Sequence, residues 1–170
     1  MKIRETKRLL LAYAGLGDAP FILQLLNSPS WLKFIGDKGV TDLTAAEGYV
    51  QSSLIKSYQN HGFGLYKVIE KESGVPIGLC GLLKRDYLEN PDLGFALLPE
   101  YEGKGYGFES AQSILDQAVD TWGFTKIDAI TSTDNVKSQR LLQKLSFQPQ
   151  GSIKDPKGQL VNLFRWISSY

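Results

Sequence analysis

The chain has 170 residues, 42% of them apolar and 22% charged, and a formal net charge of +1. A chain of this size can bury a full hydrophobic core, and residues 1–170 are expected to form one domain. The near-zero charge argues against direct nucleic-acid binding, which needs a basic excess. The single cysteine, Cys80, excludes an internal disulfide framework and fits a reducing compartment.

The opening MKIRETKRLLLAY has too short an apolar run for a signal peptide or a membrane span, so a cytoplasmic protein without a membrane partner is expected. RLLLAY (8–13) reads as a strand. GDAP (17–20) opens a helix that Asp18 can cap, with Pro20 in its first turn and Phe21, Ile22, Leu25 and Leu26 on one face. NSPSW ends that helix. A second begins in TDLTAAE, where Thr44 and Glu47 have capping-box spacing. His61 falls in the glycine-bounded stretch NHGFG and reads as a loop histidine; no Cys or His partners accompany it, so no metal site is expected. GLYKVIEK and VPIGLCGLLK form a hairpin turning at Glu72-Ser73-Gly74, with Cys80 a small buried strand residue.

PDLGFALLP (91–99) is the next strand. The best-defined helix follows, because Ala111, Ile114, Leu115, Ala118, Val119 and Trp122 recur on one face before Gly123. KIDAIT (126–131) is a strand, and Asp134 or Asn135 caps the helix VKSQRLLQKL. FQPQGSI and LVNLFRWIS are the last strands, around the turn DPKG. Strands and helices mix without strict alternation, which argues for an α/β or α+β domain with helices packed on a mixed sheet.

Between the strand at 91–99 and its helix stand Gly103, Gly105 and Gly107. A helix N-terminus carries unpaired N–H groups and about half a positive charge, and preceding glycines let a ligand approach the backbone. Together these features make an anion site, with the amides of Gly103, Lys104, Gly105, Tyr106, Gly107 and Phe108 as donors. The phosphate-loop pattern GxxxxGK[ST] is absent. The dinucleotide pattern GxGxxG fails at Phe108, although Asp128 lies at a fitting distance for a ribose contact. A short glycine-rich turn between strand and helix remains.

DLGFALLPEYEGKGYGFESAQSIL resembles the coenzyme A-binding segment of the GNAT superfamily of N-acetyltransferases, and DNVKSQRLLQKLSF resembles its N-x-x-S … L-G-F segment. TKRLLLAYAGLGDAPFILQLLNSP is similar to the start of the branch that acetylates the N-termini of ribosomal proteins. The resemblance implies a mixed, mostly antiparallel central sheet flanked by helices, with splayed neighbouring strands forming the coenzyme cleft. It implies acetyl-CoA as cosubstrate and transfer to a primary amine. Its acceptors are a protein N-terminus, a peptide or a small amine, and the protein acts as a monomer or homodimer.

By the same resemblance, the pantetheine arm pairs with the backbone of Phe95–Leu98, and the amide of Leu97 or its neighbour Leu98 faces the acetyl carbonyl. Asn135 helps hold the arm, and Lys137 or Arg140 meets the outer phosphate. Leu142 stands where many members carry a tyrosine acid, and Ser146 replaces the glycine of L-G-F. Ser138, counted also among the coenzyme-binding residues, is then the acid for the leaving thiolate, unless water takes that part and Ser138 is a plain helical serine. Asp92, two residues before Gly94, is the base or the relay through water. Trp31, Phe34 and Tyr87 lie in segments that line the acceptor side or the core. A non-catalytic acyl-CoA-binding module and a nucleotide-binding protein are the competing readings of the same loop.

Overall fold

The computed structural model describes residues 1–169, which form an eight-stranded sheet. The strands are β1 (Lys2–Glu5), β2 (Leu9–Ala12), β3 (Leu65–Glu70), β4 (Pro76–Leu83), β5 (Asp92–Leu97), β6 (Lys126–Ser132), β7 (Gln148–Lys154) and β8 (Leu160–Ile167). The helices are α1 (Ala19–Leu26), α2 (Pro29–Phe34), α3 (Leu43–Tyr49), α4 (Lys56–His61), α5 (Tyr106–Asp120) and α6 (Val136–Lys144). A π-helical stretch, Val50–Ile55, carries α3 into α4. The strand order is β1-β2-β3-β4-β5-β6-β8-β7, and among the described residues only β5 and β6 pair in parallel. The sheet is mixed and mostly antiparallel, as expected, and it is open.

Strand side chains alternate between faces, and the core divides accordingly. Tyr66, Cys80 and Leu82 pack with Ala111, Ile114, Leu115 and Ala118 of α5 and Leu142 of α6. Leu65 and Leu79 point the other way, onto Ile22 and Leu25 of α1, Trp31 of α2, Ala46 of α3 and the π-helical Val50 and Leu54. The sheet is therefore sandwiched between two helical layers. The apolar stripe read from α5 is the buried one: Ala111, Ile114, Leu115 and Ala118 are all 0% exposed.

Several local expectations change. β1 was not expected; its KIRE pattern carries little apolar signal. NSPSW does not simply end α1: Pro29 starts α2, where a missing N–H costs nothing. The Asp18 carboxylate accepts from Gly15 N at 2.8 Å and from Lys67 Nζ at 3.1 Å, so it does not cap α1. Asp42, not Thr44, caps α3, accepting from Ala45 N at 2.8 Å. His61 ends α4 instead of lying in a loop.

Candidate active site

β5 and β6 bridge at one register position only, Asp92 opposite Asp128. β4 accompanies β5 throughout, from Leu83 opposite Asp92 to Gly78 opposite Leu97. Beyond Asp92 the strands therefore part, and a cleft opens along the β6 side of β5. Leu98 N–H donates to Ile77 O at 2.8 Å, while its carbonyl accepts from Tyr101 N at 3.0 Å. Neighbouring residues of an antiparallel strand aim their backbone groups in alternate directions. Leu97 and Phe95 accordingly turn their N–H and C=O groups away from β4, toward the cleft. Leu98 departs from expectation: both of its backbone groups are engaged, and its side chain is buried in the core.

The three glycines at the end of this strand do different work. Gly103 (φ 75°) and Gly105 (φ 84°) occupy the left-handed region that a Cβ disfavours. Gly107 is helical; a Cβ there would meet Leu141 Cδ2 of α6 at 3.2 Å. Its small size lets α6 lie close against the mouth of α5. Gly105 is the N-cap of α5, and no side chain among the described residues caps the helix. The first backbone bond of the ladder runs from Glu109 N to Gly105 O at 3.1 Å, so the amides of Tyr106, Gly107 and Phe108 precede it. The Tyr106 side chain is turned away and donates to Glu70 Oε2 at 2.5 Å. Lys104 is exposed, with Nζ 5.8 Å from the Tyr101 ring centroid. The Phe108 ring packs on the core, with Lys144 Nζ 5.2 Å from its centroid.

A buried carboxylate paired with a half-buried guanidinium marks the point where the strands part. Asp92 is 1% exposed, and Arg85 Nε donates to both of its carboxylate oxygens at 3.1 Å. Burial pushes the Asp92 carboxyl up to about 6; Arg85 opposes that shift, and the charge of Asp128 adds to it. Asp128 is 0% exposed and accepts from Arg165 Nε at 2.7 Å and Nη2 at 3.3 Å. It is thus a buried partner of β8, which removes the ribose contact that spacing alone suggested.

Asn135 caps α6, its Oδ1 accepting from Ser138 N at 3.2 Å. Ser138 lies half-buried in the first turn of that helix, and Arg140 is exposed. Lys137 is 3.9 Å from Glu102 Oε2, and Glu102 Oε1 in turn accepts from Ser30 Oγ of α2 at 2.9 Å. Ser146 adopts φ 73°, the conformation of the glycine it replaces. Its N–H donates to Gln143 O at 3.0 Å, and Phe147 N–H donates to Leu142 O at 2.9 Å, closing α6 with a Schellman turn. Leu142 is 0% exposed, so the position of the absent tyrosine belongs to the core. Trp31 is also core, whereas Tyr87 sits half-buried beside Arg85. Cys80 is fully buried and its thiol is pushed up to about 12, as expected of a core residue.

Sequence reasoning missed one set of residues at the glycine turn. Arg8 N and Nε donate to Glu109 at 2.8 and 2.7 Å, and Thr6 Oγ1 donates to Glu109 Oε1 at 2.7 Å. Arg8 Nη1 also donates to Lys104 O at 3.0 Å. The only local signal is a polar Glu109 in the first turn of a helix, which is ordinary there.

An acetyltransferase (GNAT) domain model matches residues 8–148. The chain is 29% identical over 169 residues to the uncharacterized N-acetyltransferase p20 of Bacillus licheniformis, covering 96% of this chain and 94% of that protein. It is 25% identical over 154 residues to the uncharacterized N-acetyltransferase YoaA of Bacillus subtilis, covering 89% and 86%. Among solved structures, an acetyltransferase from Agrobacterium tumefaciens superposes with a TM-score of 0.83 at 23% identity, over 99% of this chain and 95% of that one. RimL, a ribosomal L7/L12 alpha-N-protein acetyltransferase in complex with coenzyme A, superposes with a TM-score of 0.82 at 19% identity, over 98% of each chain. The open sheet, the parted strands and the match over residues 8–148 agree: this chain is a member of the GNAT acetyltransferase family.

Proposed function

We propose that the chain is an acetyl-CoA-dependent N-acetyltransferase that transfers acetyl directly to a primary amine, with the N-terminal α-amine of a protein or peptide, of the ribosomal-protein kind, as acceptor. One observation carries this reading: the unpaired edge of β5 leads, through a 3-10 turn at Pro99–Tyr101 and the glycine turn, to a helix mouth without a side-chain cap among the described residues. The coenzyme supplies an activated acetyl group as a thioester. The amides from Gly103 to Phe108 hold its diphosphate, and the edge of β5 holds its arm. Leu97 N–H faces the acetyl carbonyl, where a fixed donor stabilises the charge that develops on oxygen. Asn135 steadies the arm from α6, and Arg140 meets the outer phosphate.

In this reading Asp92 takes the proton of the attacking amine, directly or through water, and Ser138 protonates the leaving thiolate while water returns a proton to its hydroxyl. A carboxyl pushed up to about 6 is a stronger base than an ordinary aspartate, yet still ionised near neutral pH. The acceptor needs little more. An α-amine with a pKa of about 7.8 is roughly a quarter neutral at about pH 7.4, against about 0.1% for a lysine near 10.4. A modest base therefore suits an α-amine better than a lysine side chain. The likeness to RimL supports the same choice.

The deciding experiment is thiol release from acetyl-CoA across a panel of peptides with free N-termini, lysine-containing peptides with blocked N-termini, and small amines. Turnover greatest on free N-termini is expected; preference for a small amine would overturn the acceptor assignment. Binding of coenzyme A without turnover on any amine would point to a binding module. In the pH–rate profile, Asp92→Asn is expected to remove the acid limb, and Ser138→Ala to lower kcat with acetyl-CoA affinity unchanged. Unaltered profiles for both variants would remove these two roles.

A further inference from the structure

We propose that Arg8 is a positioning residue for the glycine turn, aiming the Gly105 N–H at the coenzyme diphosphate. The inference rests on the functional reading above and assigns a task to a residue that lies far from the turn in sequence. Arg8 enters from the turn between β1 and β2 and spans three partners. Its Nε is held by Glu109 Oε2 at 2.7 Å, its guanidinium carbon lies 4.4 Å from the Tyr106 ring centroid, and its Nη1 donates to Lys104 O at 3.0 Å. The backbone N–H of Arg8 and the Thr6 hydroxyl fix the Glu109 carboxylate from the other side.

The peptide unit is planar and trans, so the Lys104 carbonyl and the Gly105 N–H point in opposite directions. A guanidinium that grips the carbonyl thereby turns the amide away from itself. The next peptide is fixed in a similar way, because Gly105 O accepts from Glu109 N at 3.1 Å. Gly103, Lys104 and Gly105 are exposed, and the two glycines have wide conformational freedom. Without Arg8 the Lys104–Gly105 peptide is free to flip. A lysine at position 8 would keep the charge but lacks the planar fork that lets one group stack, pair and donate together.

The test compares wild type, Arg8→Ala and Arg8→Lys as full chains. Calorimetry with coenzyme A, KM and kcat with acetyl-CoA, thermal midpoints and the amide resonance of Gly105 without ligand are the readouts. Loss of one charge-assisted hydrogen bond predicts that Arg8→Ala weakens coenzyme A binding about tenfold and raises KM by a similar factor, with kcat changing less than about twofold. Arg8→Lys is expected to bind like Arg8→Ala, and the Gly105 amide resonance to move in both variants. Wild-type affinity in Arg8→Lys would mean that charge alone matters and would overturn the proposal, as would an unmoved Gly105 resonance. If wild type binds no coenzyme A, the functional reading falls. The Gly105 resonance then decides by itself whether Arg8 orients the peptide.

Discussion

Asp92 sets two effects against each other, and the pH dependence of stability shows which wins. Burial favours the neutral acid; Arg85, donating to both oxygens at 3.1 Å, favours the carboxylate. Burial prevails, raising the carboxyl from 3.8 to about 6. In this interval the folded chain keeps a proton that the unfolded chain has lost. Stability from this group is therefore greatest below the unfolded value and falls as pH rises through the folded one. A shift of roughly two units is worth about 3 kcal/mol in all, of which about 2 kcal/mol develops between about pH 7 and about pH 4.5. Other carboxylates, Glu5 among them, shift downward and oppose this trend. The measurable quantity is thus the difference between wild type and Asp92→Asn in urea unfolding at each pH. The variant is expected to lose about 2 kcal/mol more, relative to wild type, at about pH 4.5 than at about pH 7. A gap that narrows on acidification would mean that Arg85 outweighs burial. That outcome would make Asp92 an ordinary paired carboxylate and a weaker base than the reaction is proposed to use.

Two further outcomes concern stability. Ser146→Gly removes the strain of a serine at φ 73° and is expected to stabilise by about 1 kcal/mol, raising Tm by about 2–4 °C by calorimetry, whereas Ser146→Ala leaves the strain in place. Equal Tm values for the two variants would contradict that account of the turn. Arg165→Met leaves the Asp128 carboxylate, 0% exposed, with only Asn90 Nδ2 at 3.4 Å, so a loss of about 3–5 kcal/mol is expected in urea unfolding. Asp128→Asn in the same background should recover part of it; a loss under about 1 kcal/mol would show that the pair is dispensable.

What could be read from the sequence here was local. Gly103 and Gly105 announce a turn because few residues other than glycine accept φ of 75° and 84°. The stripe from Ala111 to Ala118 announces a buried helix because its period matches the helix itself. Side-chain partnerships followed a different rule. Arg8 and Glu109 are 101 positions apart, and Arg165 and Asp128 are 37 apart; neither spacing marks a pair. Ser146 hid its left-handed conformation because serine carries no signal for it. Asp128 misled in the opposite sense: its distance from the glycines suited a ribose contact, while the sheet buried it beneath Arg165.

The same division runs between the two halves of the proposed site. The proposed cradle is built from main chain: amides at the mouth of α5 and the unpaired edge of β5. Such groups are present whatever the side chains, so glycine placement and strand order suffice to find them. The proposed reacting half depends on how burial and charge bias a few side chains. Asp92 owes its raised carboxyl to burial at the start of β5 and to the charge of Asp128 on β6, with Arg85 opposing both. A titration set by burial and by a carboxylate on another strand leaves no trace in a short stretch of sequence. It is read from the fold, and its working value from the titration of stability described for Asp92→Asn.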